Sequence, residues 1–437
     1  MPIRLLRPAL LALALLLVPA LSAPAVPAAP AGPSATPPDA PKKRSLTVDE
    51  IWAIRRVGAP VLSLDGSQVA YAVWTYDPDE NQLDANVWTV PAAGGTPRRL
   101  TTYRGLDRSP TFSPDGKRIA FVSKREGDRQ NQIYILPLDG GEAERVTEMP
   151  LGVSSPRWLP DGKRIAFVSS VIADAESPEA TKKKVEEREK AKVKARVTEN
   201  RLYRFWDRWL TDDEFPHIFV VDVFTRKVTD LLSGSKRLFD LQEAGGRSFD
   251  VSPDGSAVTF SANSSPEPYA FLNEDVFLVS TSGGEVRNMT GTNGAADTDP
   301  VFSPDGKRIA YGLTRRPDGW PDRARLAVLD LATGKTTVLT EGWNVSPSSW
   351  VFTPDGQSLV VTAEVRARTN LYAVPVAGGA PRELHRGGTV TGPQITPSGE
   401  IFFSISSISK PLEIAAVKVD GTGFRWLTHT NDERMAG

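Results

Sequence analysis

Apolar positions in this chain come in short runs, not with a helical period. Ile119-Ala120-Phe121-Val122, Ile165-Ala166-Phe167-Val168 and Ile309-Ala310-Tyr311 each follow a turn-forming tetrapeptide and end in polar residues. A half-exposed strand would alternate apolar and polar side chains. Runs apolar at every position predict strands covered on both faces.

The preceding tetrapeptide recurs. Ser113-Pro114-Asp115-Gly116 returns as Leu159-Pro160-Asp161-Gly162, Ser252-Pro253-Asp254-Gly255, Ser303-Pro304-Asp305-Gly306 and Thr353-Pro354-Asp355-Gly356. Ser63-Leu64-Asp65-Gly66 and Thr396-Pro397-Ser398-Gly399 are weaker copies, which brings the total to seven. Successive copies lie about 43 to 51 residues apart, except for one double-length gap between the third and fourth. Pro presets φ for the first central position of a tight turn, Asp bonds back to the backbone, and Gly supplies the positive φ that leads into the next strand.

A second apolar strand, a turn often built on Gly-Gly, and a short strand often ending in Leu-Thr follow each copy. Ile133-Tyr134-Ile135-Leu136 with Gly140-Gly141 and Val276-Phe277-Leu278-Val279 with Gly283-Gly284 are examples. Each unit thus supplies four short antiparallel strands, which cannot bury both faces alone. Radial stacking solves this, so the pattern predicts an all-β fold: a seven-bladed β-propeller of four-stranded antiparallel blades over residues 46–437. The first repeat opens with its innermost strand, Val57 to Ser63, and the last ends with its outermost, Phe424 to Thr428. No strand remains to complete the opposite terminal blade, so the ring is expected to close by apolar packing.

Three segments depart from the repeat. The N-terminus carries Arg4 and Arg7 followed by an apolar run from Ala9 to Val18, as in a secretory signal peptide over 1–23 or, left uncleaved, a membrane anchor. Residues 24–45 form a Pro/Ala-rich linker. This predicts a periplasmic or secreted protein, with no membrane association beyond the signal peptide. Leu46-Thr47-Val48-Asp49-Glu50-Ile51-Trp52 then has the chemistry of a capped helix: Thr47 as N-cap and Glu50 completing a capping box. Its apolar side, Ile51, Trp52 and Ile54, has no place inside a blade.

The double-length gap predicts an insertion in the third blade over 172–216. Glu176 to Thr198 is dense in Lys and Glu, with pairings such as Glu186–Lys190 and Glu187–Lys190, and reads as an exposed helix. It is either solvated or a docking surface for a second domain or subunit, so a homo-oligomer is open. Tyr203-Arg204-Phe205-Trp206-Asp207-Arg208-Trp209-Leu210 is aromatic and cationic. Either it grips a peptide, or Tyr203, Trp206 and Trp209, at helical spacing, pin the insertion to its blade. Asp212, Asp213 and Glu214 follow, as a solvated turn or as anions for a peptide's amino terminus. Tyr203, Arg204, Trp206, Asp207 and Glu214 are therefore the candidate substrate-binding residues.

Composition removes several chemistries. With no cysteine there is no disulfide, thiolate metal site or cysteine nucleophile. His217, His385 and His429 are widely spaced, so no metal or other cofactor is expected. Fifty-two basic against 53 acidic residues leave a net charge of −1, which gives no reason to expect nucleic acid as a partner. No Gly-x-Ser-x-Gly elbow occurs; Gly152-Val153-Ser154-Ser155-Pro156 has Pro where the last Gly belongs. No catalytic residue is assigned.

The Ser-Pro-Asp-Gly-Lys-Arg-Ile-Ala-Phe-Val-Ser repeat resembles the PD40-type propeller repeats of the TolB translocation protein and of the prolyl oligopeptidase (S9) family of serine peptidases. Leu46 to Trp52 with Arg56-Val57-Gly58 resembles the start of the exported acylaminoacyl- and dipeptidyl-peptidases of that family. Tyr203-Arg204-Phe205-Trp206-Asp207 resembles their blade insertion, and Leu427-Thr428-His429-Thr430-Asn431-Asp432-Glu433-Arg434 their junction with the hydrolase domain. The resemblance implies a propeller that gates peptide substrates to a C-terminal α/β-hydrolase domain bearing Ser, Asp and His. No triad residue is expected within this chain, and turnover is expected to need that further domain. The alternative is a stand-alone TolB-like periplasmic propeller that binds a protein partner.

Overall fold

A computed structural model describes residues 45–435, apart from 174, 176, 194, 196–202, 206–207, 211–212, 238, 240–248, 266–272 and 318–321. Residues 47–437 form one compact unit. It is built from four-stranded antiparallel groups in chain order, with the opening strand of the first group split in two and the last two groups joined by a parallel bridge between Thr369 and Thr389.

The group after the first full tetrapeptide copy shows the pattern: Arg108–Phe112, Arg118–Ser123, Gln132–Pro137 and Glu144–Arg145. Its second strand is buried on both faces, as the apolar run predicts, with Ile119, Ala120, Phe121 and Val122 all inaccessible. Alternation along the strand divides them between two neighbours. Ile119 and Phe121 join Ala70 and Val87 of the first sheet, whereas Ala120 and Val122 join Ile165, Phe167 and Phe219 of the third. Every later junction repeats this, up to Val360 and Leu371 against Ile401 and Phe403. The last sheet then meets the first, where Phe402, Ile414 and Ala416 pack on Val57, Val69 and Tyr71.

That closing contact shares no strand, as expected. Arg56–Val57 and Val61–Leu62 pair only with Gln68–Asp77 of their own sheet. Beside the apolar packing lies a polar latch. Asn431 accepts a hydrogen bond from the Arg55 backbone N–H and donates to the Arg55 carbonyl, both at 2.9 Å. Glu413, wholly buried, accepts from the Asn431 N–H at 3.0 Å and the Thr428 hydroxyl at 2.6 Å.

The sequence motifs have visible causes. In the turn, the Ser113 hydroxyl donates to Asp115 and accepts from the Arg118 N–H, while Asp115 accepts from the Lys117 N–H. Ser63, Ser252, Ser303 and Thr353 make the same hydroxyl–carboxylate bond. These bonds hold Asp65, Asp115, Asp305 and Asp355 below the usual carboxylate range and bring Asp254 to about 2. The arginine after the turn reaches onward: Arg118 donates to the Gly162 carbonyl of the next turn and Arg308 to that of Gly356. In the Leu-Thr ending and its equivalents, the threonine hydroxyl accepts from a backbone N–H within the third strand. Thr101, Thr147, Thr290, Thr340 and Thr428 do this for Val87, Ile133, Val276, Leu326 and Ile414 at 2.8–3.0 Å.

The first strands share one irregularity that sequence reading missed. Their pairing slips between Arg108 and Thr111, Ser154 and Arg157, and Thr298 and Val301. Ser109, Ser155 and Asp299, each just before a proline, sit there at φ of 53–54°. Such bulges bend the strand and re-aim its side chains.

Candidate functional site

Because the strands alternate in direction, each sheet has two chemically different ends. The Ser-Pro-Asp-Gly turns and third-to-fourth-strand turns lie at one. The second-to-third-strand connections, and the links between sheets, lie at the other. Three non-repeat features share this second end: the helix before the first strand, the long connection after Ile172, and the residues following Trp426.

The first helix, α1, spans Val48–Ala53. Its capping box forms as expected: the Glu50 N–H donates to Thr47 Oγ1, and the Thr47 N–H to the Glu50 carboxylate at 2.8 Å. None of its residues is buried. Trp52 packs on Tyr76 with ring centroids 4.5 Å apart and the planes tilted by 35°, and a cavity of about 210 Å³ beside them is lined by Trp52, Ile54, Arg56, Trp74, Tyr76 and Leu83. Val48, Ile51 and Leu83 stay largely exposed. Trp74 also explains Gly58, where a Cβ would come within 2.9 Å of the indole. The sequence signalled the Trp52 helix but not its aromatic floor, because Trp74 and Tyr76 lie in a strand that reads as ordinary.

The long connection leaves a nine-rung strand pair, Arg164–Ile172 with Glu214–Asp222, whose last rung is Ile172 opposite Glu214. Helix α2 spans Pro178–Lys190, shorter than the expected 176–198. Ser177 caps it and Pro178 fits the first helical position; Ala191, already extended, ends it. Its ion pairs run outward from the helix, in place of the expected pairings with Lys190. Arg188 pairs with Glu214 at 2.9 Å, Arg129 with Glu186 at 3.5 Å, and Lys184 donates to the Ala173 carbonyl. A cleft of about 630 Å³ opens beside the start of α2, with Met149, Val171, Phe219 and Val228 on its floor and Arg145 and Arg226 on its rim.

Tyr203 and Trp209 meet, but not on a helix. Arg204–Phe205 pairs with Arg208–Trp209 as a small hairpin, placing Arg204 opposite Trp209. Aromatic side chains gain from such cross-strand packing, which here outweighs the helical spacing. The Tyr203 and Trp209 rings lie 6.1 Å apart, and the Arg204 guanidinium sits 5.4 Å from the Trp209 centroid. Both rings remain about half exposed, at 53% and 42%. Glu214 does not join them: it faces Arg188, its charge already compensated. Trp206 and Asp207 lie outside the described residues.

The histidines have structural partners. His217 is buried with Nδ1 2.8 Å from Asp230 and Nε2 2.9 Å from the Ser235 carbonyl; His385 stacks on Phe424; His429 faces Asp432. Ser154 and Ser155 lie in a first strand. Among the described residues no group of His, Asp and Glu could hold a metal ion.

Two family profiles match the chain: the Tricorn protease N-terminal beta propeller domain over 81–201 and the TolB beta propeller domain over 248–436. Among solved structures, an acylaminoacyl peptidase of Pyrococcus horikoshii superposes with a TM-score of 0.66 at 16% identity, over 88% of this chain and 54% of that one. The beta-propeller domain of the Trilobed protease from Pyrococcus furiosus, described as having an open velcro topology, superposes with a TM-score of 0.59 at 15% identity, over 86% and 97%. The fold is a β-propeller. Dipeptidyl-peptidase 5 of Porphyromonas gingivalis is 31% identical over 351 residues, which is 78% of this chain and 49% of the relative. That of Porphyromonas endodontalis is 30% identical over 290 residues, 65% and 40%. The chain spans about half the length of these curated relatives or less. In sequence the chain is thus similar to one part of dipeptidyl-peptidase 5, and in fold to a β-propeller, consistent with the resemblance to the propeller part of the prolyl oligopeptidase family that the repeats carry.

Proposed function

We propose that the chain is the substrate-gating, seven-bladed β-propeller of an exported serine exopeptidase, working with an α/β-hydrolase domain. The third blade carries a helical insertion containing α2 and the Tyr203–Trp209 hairpin. One observation carries the reading: the exposed apolar helix α1, that connection and the segment after Trp426 all stand at the same end of the sheets. This is where a catalytic domain would cap the ring, and the dipeptidyl-peptidase 5 relatives, of whose length the chain matches about half or less, have room for one. Tyr203 and Trp209, stiffened by Arg204, supply an amphipathic grip for a peptide chain. Glu214 positions Arg188 and α2; it is not a free anion for an amino terminus.

The reading frame beyond codon 437 is the direct test. It is expected to encode Gly-x-Ser-x-Gly with Asp and His following, and the longer product to cleave dipeptidyl-nitroanilides while residues 24–437 alone do not. A frame without that elbow, or hydrolysis by 24–437 alone, overturns the proposal. The TolB-type match over 248–436 supports the second reading, an exported propeller that binds a protein partner. Under it, 24–437 is a stable monomer that retains one specific partner from periplasmic extract.

A further inference from the structure

Asp107 and Asp297 occupy equivalent places, each where a link between sheets leads into a first strand, and both are wholly buried. Their surroundings differ. Asp107, whose Oδ1 is also buried without a hydrogen-bond partner, has a cation, Arg125, at 3.4 Å from its Oδ2. Asp297 forms no ion pair among the described residues. One of its carboxyl oxygens accepts from the Asn293 amide at 2.8 Å; the other, Oδ2, is buried with no hydrogen-bond partner. The titratable groups that face it are Asp275, on Glu274–Ser280 of the preceding sheet, and Tyr311, on Arg308–Leu313 of its own. Asp275 is itself buried and takes hydrogen bonds from Asn273 and Asn288.

An ionised Asp297 would thus leave one anionic oxygen dry and without a donor, near a second carboxylate and with no counterion. That arrangement costs several times what a neutral acid costs there. We propose that Asp297 keeps its proton in the folded state, making the joint between the fourth and fifth sheets a proton-dependent contact that tightens as pH falls. In agreement, burial and then the Asp275 charge push the Asp297 carboxyl up to about 7, against the opposing pull of the nearby Thr290 hydroxyl and of the Asn293 hydrogen bond. The sign follows from linkage. Between about pH 4 and 7 the unfolded chain has released this proton and the folded chain has not, so stability falls as pH rises through that window and levels off above it.

Thermal unfolding of the purified chain and of Asp297→Asn from pH 5 to 8 tests this. The melting temperature of the variant is expected to gain on that of the native chain by roughly 3–5 °C across the window, because the amide never ionises. Asp275→Asn, which removes the facing charge without touching Asp297, shrinks the native pH dependence. Asp107→Asn has the opposite effect at pH 8: it strands Arg125 and lowers the melting temperature. Should Asp297→Asn fold poorly, infrared spectroscopy decides on the native chain, where a protonated-carboxyl band persists at pH 6 and disappears by pH 8.5. Parallel pH profiles for the native chain and Asp297→Asn, or absence of that band at pH 6, overturn the proposal.

Discussion

Replacing Asn431 with alanine removes the polar latch between the last sheet and the first while leaving every strand intact. The side chain is 1% exposed and makes two hydrogen bonds to the Arg55 backbone, one in each direction. At about 1 kcal/mol for each, with water able to reach the half-buried Arg55, the loss is about 2 kcal/mol, rising towards 3 if the vacated volume does not collapse. Unfolding entropy of about 2.1 cal/mol/K per residue over the compact unit makes each kcal/mol worth about 1 °C, so the melting temperature should fall by about 2–4 °C. Stability alone would not place the effect, so hydrogen exchange supplies the location. Amides of Arg56–Val57 and Val61–Leu62 should exchange faster, and those of Arg308–Leu313, across the ring, should not. If Asn431→Ala unfolds within about 0.5 kcal/mol of the native chain with unchanged exchange in the first strand, the apolar seam alone closes the ring and the latch reasoning is wrong.

The remaining expectations are narrower. Thr340→Val keeps shape but leaves the Leu326 N–H without its buried acceptor and should cost about 1–3 kcal/mol in urea unfolding; Thr337→Val, on an exposed strand, should cost under about 0.5. Gly58→Ala drives a methyl to within 2.9 Å of Trp74 and should destabilise by about 1–3 kcal/mol, with a change in near-ultraviolet circular dichroism from that indole. Asp254, held at about 2 by Ser252 and Ser256, contributes stability above about pH 4 that is lost as pH falls towards 2; Ser252→Ala should move its carbon-13 carboxyl titration upward. In the longer protein, Tyr203→Ala and Trp209→Ala should leave the melting temperature within about 1 °C and raise KM for peptides with kcat little changed.

Much of this fold was legible in order of residues because its determinants are local. A tetrapeptide that folds on its own hydroxyl and carboxylate marks each turn, and an apolar run with no polar face has to be covered twice. The capping box of α1 was legible for the same reason: Thr47 and Glu50 are three residues apart. The Tyr203–Trp209 stretch was not, since helix and hairpin bring the same two rings together, and the pairing of Arg204 with Trp209 decides between them. Nor could Glu214 be told from a free anion, because its partner Arg188 lies across a connection that the sequence does not orient.

By itself, the sequence determined the repeat, the four strands of each unit and the absence of cysteine chemistry, all consequences of short-range pattern. Only the tertiary structure decided which groups from different elements meet: Asn431 with Arg55 across the closure, Asp297 with Asp275 across neighbouring sheets, Trp52 with Tyr76 beside the first sheet. The physical reason is that hydrogen bonding within a turn acts over five residues, whereas desolvation and charge depend on what the closed ring brings within a few ångströms.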